Sequence, residues 1–218
     1  MKSRKTTILS LLVLSGCLAV GLFSGRMILG RSLGQEEKEA LAPTRKIGYF
    51  TFLNEDRSVA LVVDVELARM RKAEKYLPLG IRLANKDIYT LKLDRQSLLL
   101  VDSADKTYSM PGYKQVEAAY DKYSLDAKYY ARKLFTEGDI LTGFASFLKL
   151  PCSFFPHPFK DSVMHDILID SIDMPQRSFI EDLVYFPNPG SDVAGQKLRL
   201  RLQGPELEEP CEVAFVVD

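Results

Sequence analysis

The stretch Tyr76-Leu-Pro-Leu-Gly-Ile-Arg-Leu-Ala-Asn85 decides the fold. Leu77, Leu79, Ile81 and Leu83 occupy every second position, and a period of two places them on one face of a β-strand. Val59, Leu61, Val63, Val65 and Leu67 follow the same alternation upstream. Leu91 with Leu93, Leu98 with Leu100, Ile167 with Ile169, Leu198 with Leu200 and Leu202, and Val213 with Phe215 and Val217 repeat it. Turn-forming residues separate several of these segments, at Asn85-Lys86-Asp87, Asp94-Arg95-Gln96, Asp102-Ser103 and Pro187-Asn188-Pro189-Gly190, so hairpin connections are expected. Roughly seven to nine short strands with few helical crossovers predict a mainly β domain: an antiparallel, immunoglobulin-like β-sandwich whose two apolar faces bury one another.

The middle of the chain breaks the period. Ala127, Tyr130, Ala131 and Leu134 recur at helical spacing, after Ser124 as a cap and before Gly138 as a terminator, which predicts a helix. Ile140, Leu141, Phe144 and Leu148 suggest a second, beginning near Asp139 and stopped by Pro151. The sandwich is therefore expected to span 47–218 and to carry a helical insertion over about 114–150.

Composition bounds what such a domain does. At 46% hydrophobic and 27% charged residues the chain is neither disordered nor polytopic. Lys2, Arg4 and Lys5 belong to a separate N-terminal segment; taking these three from the 29 basic residues leaves 26, against 29 acidic ones. A mildly acidic domain lacks the clustered positive charge that phosphate backbones require, so nucleic acid is not an expected partner. The densest basic run, Arg69, Arg71, Lys72 and Lys75, is interrupted by Glu74 and reads as a solvated turn or short helix.

Residues 1–30 read as an export signal or membrane anchor. The basic residues at 2, 4 and 5 precede an uncharged run from Thr6 to Gly25, the n-region and h-region a translocon recognises. Leu14, Ser15, Gly16 and Cys17 resemble the bacterial lipobox. That resemblance implies lipidation of Cys17 through a diacylglyceryl thioether, with the cysteine as mature N-terminus and the cell envelope as location. Two other readings stay open. The apolar run of about twenty residues is long enough to cross a ~30 Å hydrocarbon layer uncleaved, and Ala19-Val20-Gly21 offers an ordinary cleavage site that releases a soluble secreted or periplasmic protein. Residues 31–46, with Gln35, Glu36, Glu37, Lys38, Glu39, Gly34 and Pro43, have the composition of a flexible tether, reaching up to ~50 Å when extended.

Few constellations suggest chemistry. Cys152 and Cys211, alone beyond the signal in an oxidising compartment, are expected to form a disulfide worth ~4 kcal/mol, the alternative being two buried thiols. His157 and His165 with Asp161 and Asp166 lack any metal-binding spacing, so no metal and no cofactor are expected. No nucleophile elbow, P-loop or dinucleotide fingerprint is present. Glu181-Asp182 and Glu208-Glu209 are adjacent, hence on opposite faces of a strand, and read as exposed charges. The proline-stiffened Phe154, Phe155 and Phe159, with Tyr129 and Tyr130, suit contact with a partner such as another envelope protein. The competing reading makes these rings a cap on the core. A non-catalytic, membrane-anchored binding or envelope-assembly module is the expectation that follows, and the alternative is a membrane-tethered hydrolase with a dispersed site near His157 and His165.

Overall fold

A computed structural model describes residues 44–136, 144, 146–156 and 167–218, all within one compact unit, Leu41–Asp218. The architecture is mainly β, with several antiparallel sheets and few helices.

Two long strands, β4 (Tyr76–Asn85) and β12 (Ser178–Pro187), form its centre, paired antiparallel over their whole length from Tyr76↔Pro187 to Asn85↔Ser178. Outward on one side lie β3 (Val59–Asp64), β2 (Thr51–Glu55) and the short β1 (Arg45–Lys46), and on the other β8 (Leu148–Lys149), which runs parallel to β12. A second sheet has the order β14-β13-β6-β7, from β6 (Leu98–Val101), β7 (Thr107–Ser109), β13 (Lys197–Leu202) and β14 (Cys211–Val216). Two small pairs complete the set: β5 (Thr90–Asp94) with β11 (Ser171–Pro175), and β9 (Cys152–Ser153) with β10 (Ile167–Leu168). Alternation explains the core directly. Leu61, Val63, Leu79, Ile81 and Leu83 from the first sheet and Leu100, Leu200, Val213 and Phe215 from the second belong to one buried cluster, and β14 packs against β2 and β3.

The free edge of β14 is closed by side chains. Asn54 Nδ2 donates to Glu212 O at 2.6 Å, and Ala214 N donates to Thr44 Oγ1 at 2.9 Å. Unpaired strand edges invite pairing with other chains, and these two residues occupy that position from within.

The other face of the central pair is also covered. Helices α2 (Tyr113–Ala119) and α3 (Tyr123–Thr136) lie within the expected insertion, and Tyr130 stacks directly over Gly80: a Cβ added there would stand 2.5 Å from Tyr130 Cε2. Only glycine leaves room for the ring. Farther along, Ala60, Val62 and Ala84 form a second small cluster, with Phe144, Phe147 and Phe179 packed on it. The intervening positions of β3 are therefore apolar because both its faces are buried.

Several expectations need correction. The alternation through Leu67 does not continue as a strand. Val65 N turns aside to bond Phe50 O at 2.9 Å, and Glu66–Met70 forms the short helix α1. The Asn85 and Asp94 turns do not close hairpins; they carry the chain from the central sheet to β5 and from β5 to the second sheet. Asn85, fully buried, bonds Ile88 N, Ile88 O and Met174 O and so directs the first crossing, while Asp94 Oδ1 accepts from Gln96 N and Ser97 N in the second. Leu148, assigned to a second helix, lies in β8, and residues 139–143 of that helix fall outside the described residues. The expected disulfide is absent. Cys152 lies on β9 against β12, and Cys211 opens β14 against β2. In the sheet order β2 and β12 stand three strand spacings apart, roughly 14 Å, whereas a disulfide needs Cα atoms within about 7 Å.

Candidate functional site

The richest polar and aromatic chemistry collects where α3 and the Cys152–Pro156 segment meet β12. The central pair carries two acidic residues side by side, and the pleat sends them to opposite faces. Both are buried, against expectation. Glu181 lies opposite Arg82 and bonds it across the strands, and also takes Lys149 Nζ at 2.8 Å. Asp182, on the core face, accepts Phe154 N at 2.6 Å and Leu183 N at 2.8 Å. Main-chain donors to a carboxylate in the interior fix the backbone that supplies them.

Two further residues complete a clasp on this segment. Arg95 donates to Phe154 O at 2.7 Å, Pro111 O at 3.0 Å and Asp170 at 3.1 Å. Its guanidinium lies 5.5 Å and 5.2 Å from the ring centres of Phe154 and Phe155. Tyr123 Oη donates to Pro156 O at 2.7 Å. Phe155 then meets Tyr185 edge-on at 5.0 Å, and Tyr185 meets Tyr120 and Tyr123 in turn. Burial pushes the Tyr120, Tyr123, Tyr130 and Tyr185 phenols well above their ordinary value, so they act as neutral donors and packing surface.

Beside this ring cluster, two ionic groups lock α3 to the end of β3 and to α1 with its C-cap. Asp126, fully buried, takes Arg71 at 2.8 Å and Tyr120 Oη at 2.7 Å. Burial works against the Arg71 charge, but the bond to Asp126 outweighs it and holds its pKa above the usual value. Lys133 Nζ lies 2.5 Å from Asp64 and 2.6 Å from Glu66. Burial opposes its charge too, and the two carboxylates raise its pKa in spite of that. Burial likewise opposes ionisation of Glu66, yet hydrogen bonds from Lys133 and Tyr129 keep its pKa below the carboxylate norm. Each of these charges has a partner of opposite sign, the arrangement interiors require.

The residues singled out from sequence are therefore placed as follows. Phe154, Phe155 and Tyr130 are buried in the main core, the capping alternative, while Tyr129 is partly exposed and donates to Glu66 at 2.9 Å. Cys211 is buried, its thiol pushed up to about 12 by desolvation, with Sγ 3.9 Å from Asn54 O. Cys17, Phe159, His157, His165, Asp161 and Asp166 lie outside the described residues. Among the described residues no group of three or more His, Cys, Asp or Glu is placed to hold a metal, and no helix is long and apolar enough to cross a membrane. Sequence reasoning passed over Asp126, since a lone acid inside an amphipathic segment shows nothing of its burial until its partner is known, and it read Asp182 as an exposed charge for want of the same information.

Exposed apolar groups border the clasped segment. Leu148 on β8 and Ile167 on β10 are 62% and 65% exposed, and Leu168 is also exposed. Ile167 N bonds Pro151 O at 2.8 Å, which brings β10 against the chain that links β8 to β9. Comparison with protein-family models, curated proteins and solved structures finds nothing that this chain matches.

Proposed function

We propose that this protein is a membrane-anchored, extracytoplasmic binding module of immunoglobulin-like β-sandwich architecture, working without catalysis on another envelope protein. The sequence from Lys2 to Gly25, with its lipobox-like Leu14-Ser15-Gly16-Cys17, supports export and attachment. Two sheets, antiparallel but for the short β8, share one core with β14 against β2 and β3 and support the sandwich.

The observation that carries the binding reading is the apolar ledge of Leu148, Ile167 and Leu168 beside the clasped Cys152–Pro156 segment. Apolar side chains clustered at one exposed place favour protein contact. The clasp limits the entropy lost on docking. The contact surface thus lies beside the buried rings, and Phe159 continues the chain from the clasped segment.

A photo-crosslinking residue at Ile167 of the full chain, in native membranes, is expected to capture a discrete protein, and one at Tyr89 is not. No product above the Tyr89 control sinks the binding reading. Replacing His157 and His165 together with alanine is expected to leave the crosslink and the cellular phenotype intact; loss of both, in a folded protein, favours the tethered hydrolase. Intact mass of the membrane-extracted chain decides the anchor: a chain beginning at Cys17 with added acyl mass, an unmodified full-length chain, or a soluble one beginning beyond Gly21.

A further inference from the structure

We propose that the end of the domain formed by the Ile47–Phe50 turn and the Arg69–Lys75 segment lies against an anionic lipid surface. The inference rests on the membrane-anchored reading above and adds an orientation to it.

Tyr49 stands at the tip of the β1–β2 turn, 82% exposed. The turn is closed by Ile47 N and Gly48 N, both donating to Thr51 O at 3.0 and 3.2 Å. The Tyr49 ring meets Phe50 edge-on at 5.0 Å, Lys46 Nζ lies 5.6 Å from its centre, and the Arg69 guanidinium covers Phe50 at 4.6 Å. Met70, 48% exposed, adds an apolar group at the end of α1. The loop that follows is fixed from behind: Asn188 Nδ2 donates to Lys72 O and Glu74 O at 2.9 and 2.8 Å. Aromatic tips flanked by lysine and arginine are the side chains that favour the membrane–water interface, rings at the headgroups and cations toward phosphate.

Charge complementarity selects the anionic surface. Of the acids packed at this end, Asp126 is paired with Arg71 and Asp121 with Lys122, Asp64 and Glu66 share the one charge of Lys133, and the Asp218 main-chain oxygen accepts Arg69 Nε at 3.0 Å. Glu74 is the single acid within the run 69–75. Lys46, Lys72 and Lys75 make no ion pair among the described residues, so their charge is available to a lipid phosphate. Distance permits the contact, because residues 26–43 reach about 60 Å at full extension and Tyr49 follows only five residues after Thr44.

The chain contains no tryptophan, so Tyr49→Trp supplies a single emitter, Met70→Trp a second on the same surface, and Tyr89→Trp, 90% exposed elsewhere, a control. Full-length variants are extracted from membranes and reconstituted into phosphatidylcholine vesicles with and without phosphatidylglycerol, with flotation reporting attachment. Emission from Tyr49→Trp and Met70→Trp is expected to shift to the blue and to be quenched by brominated lipid only when phosphatidylglycerol is present, and Tyr89→Trp to stay unchanged. Adding K46Q, K72Q and K75Q is expected to weaken docking on the order of a hundredfold, at about fivefold for each basic side chain. Flotation with unchanged emission at both positions overturns the docking surface and leaves the anchor standing. An equal shift on phosphatidylcholine alone overturns it as well, and failure to float removes the anchor and the orientation together.

Discussion

Gly80→Ala tests how α3 is seated on the central strands. The added methyl carbon would stand 2.5 Å from Tyr130 Cε2 and 3.3 Å from Asp64 Cβ. The Tyr130 ring is buried, and Asp64 is held by Lys133 and Thr51. Neither neighbour retreats without breaking a contact, so the substitution is an overpacking, costing about 1–3 kcal/mol. For a domain of this size that lowers the melting temperature by about 2–12 °C. Tyr130→Ala removes the obstacle, at a cost of about 3–5 kcal/mol of its own. In that background Gly80→Ala is expected to cost nothing and to gain up to about 1 kcal/mol, because alanine loses less chain entropy than glycine in a strand. Urea unfolding of the four proteins, followed by circular dichroism, gives the coupling energy directly. Equal losses from Gly80→Ala in both backgrounds would refute the argument, since the ring would then not be what the glycine accommodates.

Three other outcomes are expected. Asp126→Ala strands Arg71 and Tyr120 and should destabilise by about 3–5 kcal/mol, while the double change Asp126→Leu with Arg71→Met restores most of it; urea midpoints give the comparison, and a small loss in the single variant would contradict the buried pairing. Reduction should change neither intact mass nor melting temperature, because Cys152 and Cys211 are not bonded to one another; a gain of about two daltons refutes that. Stability should fall at both pH extremes. Cys211, moved from 9.0 to about 12, and the raised Tyr120, Tyr123, Tyr130 and Tyr185 keep protons that the unfolded chain releases, so their contribution is whole below about pH 9 and is lost as pH rises. Glu66, lowered from 4.5, contributes above that value and loses it as pH falls further. A melting temperature that climbs from pH 9 to pH 11 would contradict the alkaline arm.

Much of the β framework was legible because burial on one face leaves a period of two. β4, β5, β6, β13 and β14 carry it, and α3 carries its helical counterpart. β12 did not show, although it is the central partner of β4. Its two faces are both covered, so Phe179, Ile180, Leu183 and Val184 do not alternate with polar residues, and the charges in its middle suggest a surface. Arg82 on the opposite strand and Lys149 on β8 account for Glu181, and Phe154 N beyond the edge and Leu183 N account for Asp182. The aromatic residues suffered from the same gap: Phe154, Phe155 and Tyr130 are assigned to core or to surface by the location of β12 and Gly80, contacts distant in sequence. Val65-Glu66-Leu67 continued the strand pattern, and the bond that diverts it comes from Phe50, on a different element.

The closure of the β14 edge has a mechanical consequence. Thr44, where the described chain begins, bonds the middle of β14, and the two-residue β1 follows it onto β2. Tension arriving from the N-terminal side loads these few contacts one after another, as a zip opens, before any force reaches the long β4–β12 pair. Thr44 and β1 would then yield first and lengthen the connection by several residues, leaving the core intact. A domain loaded from that side would carry its own overload release.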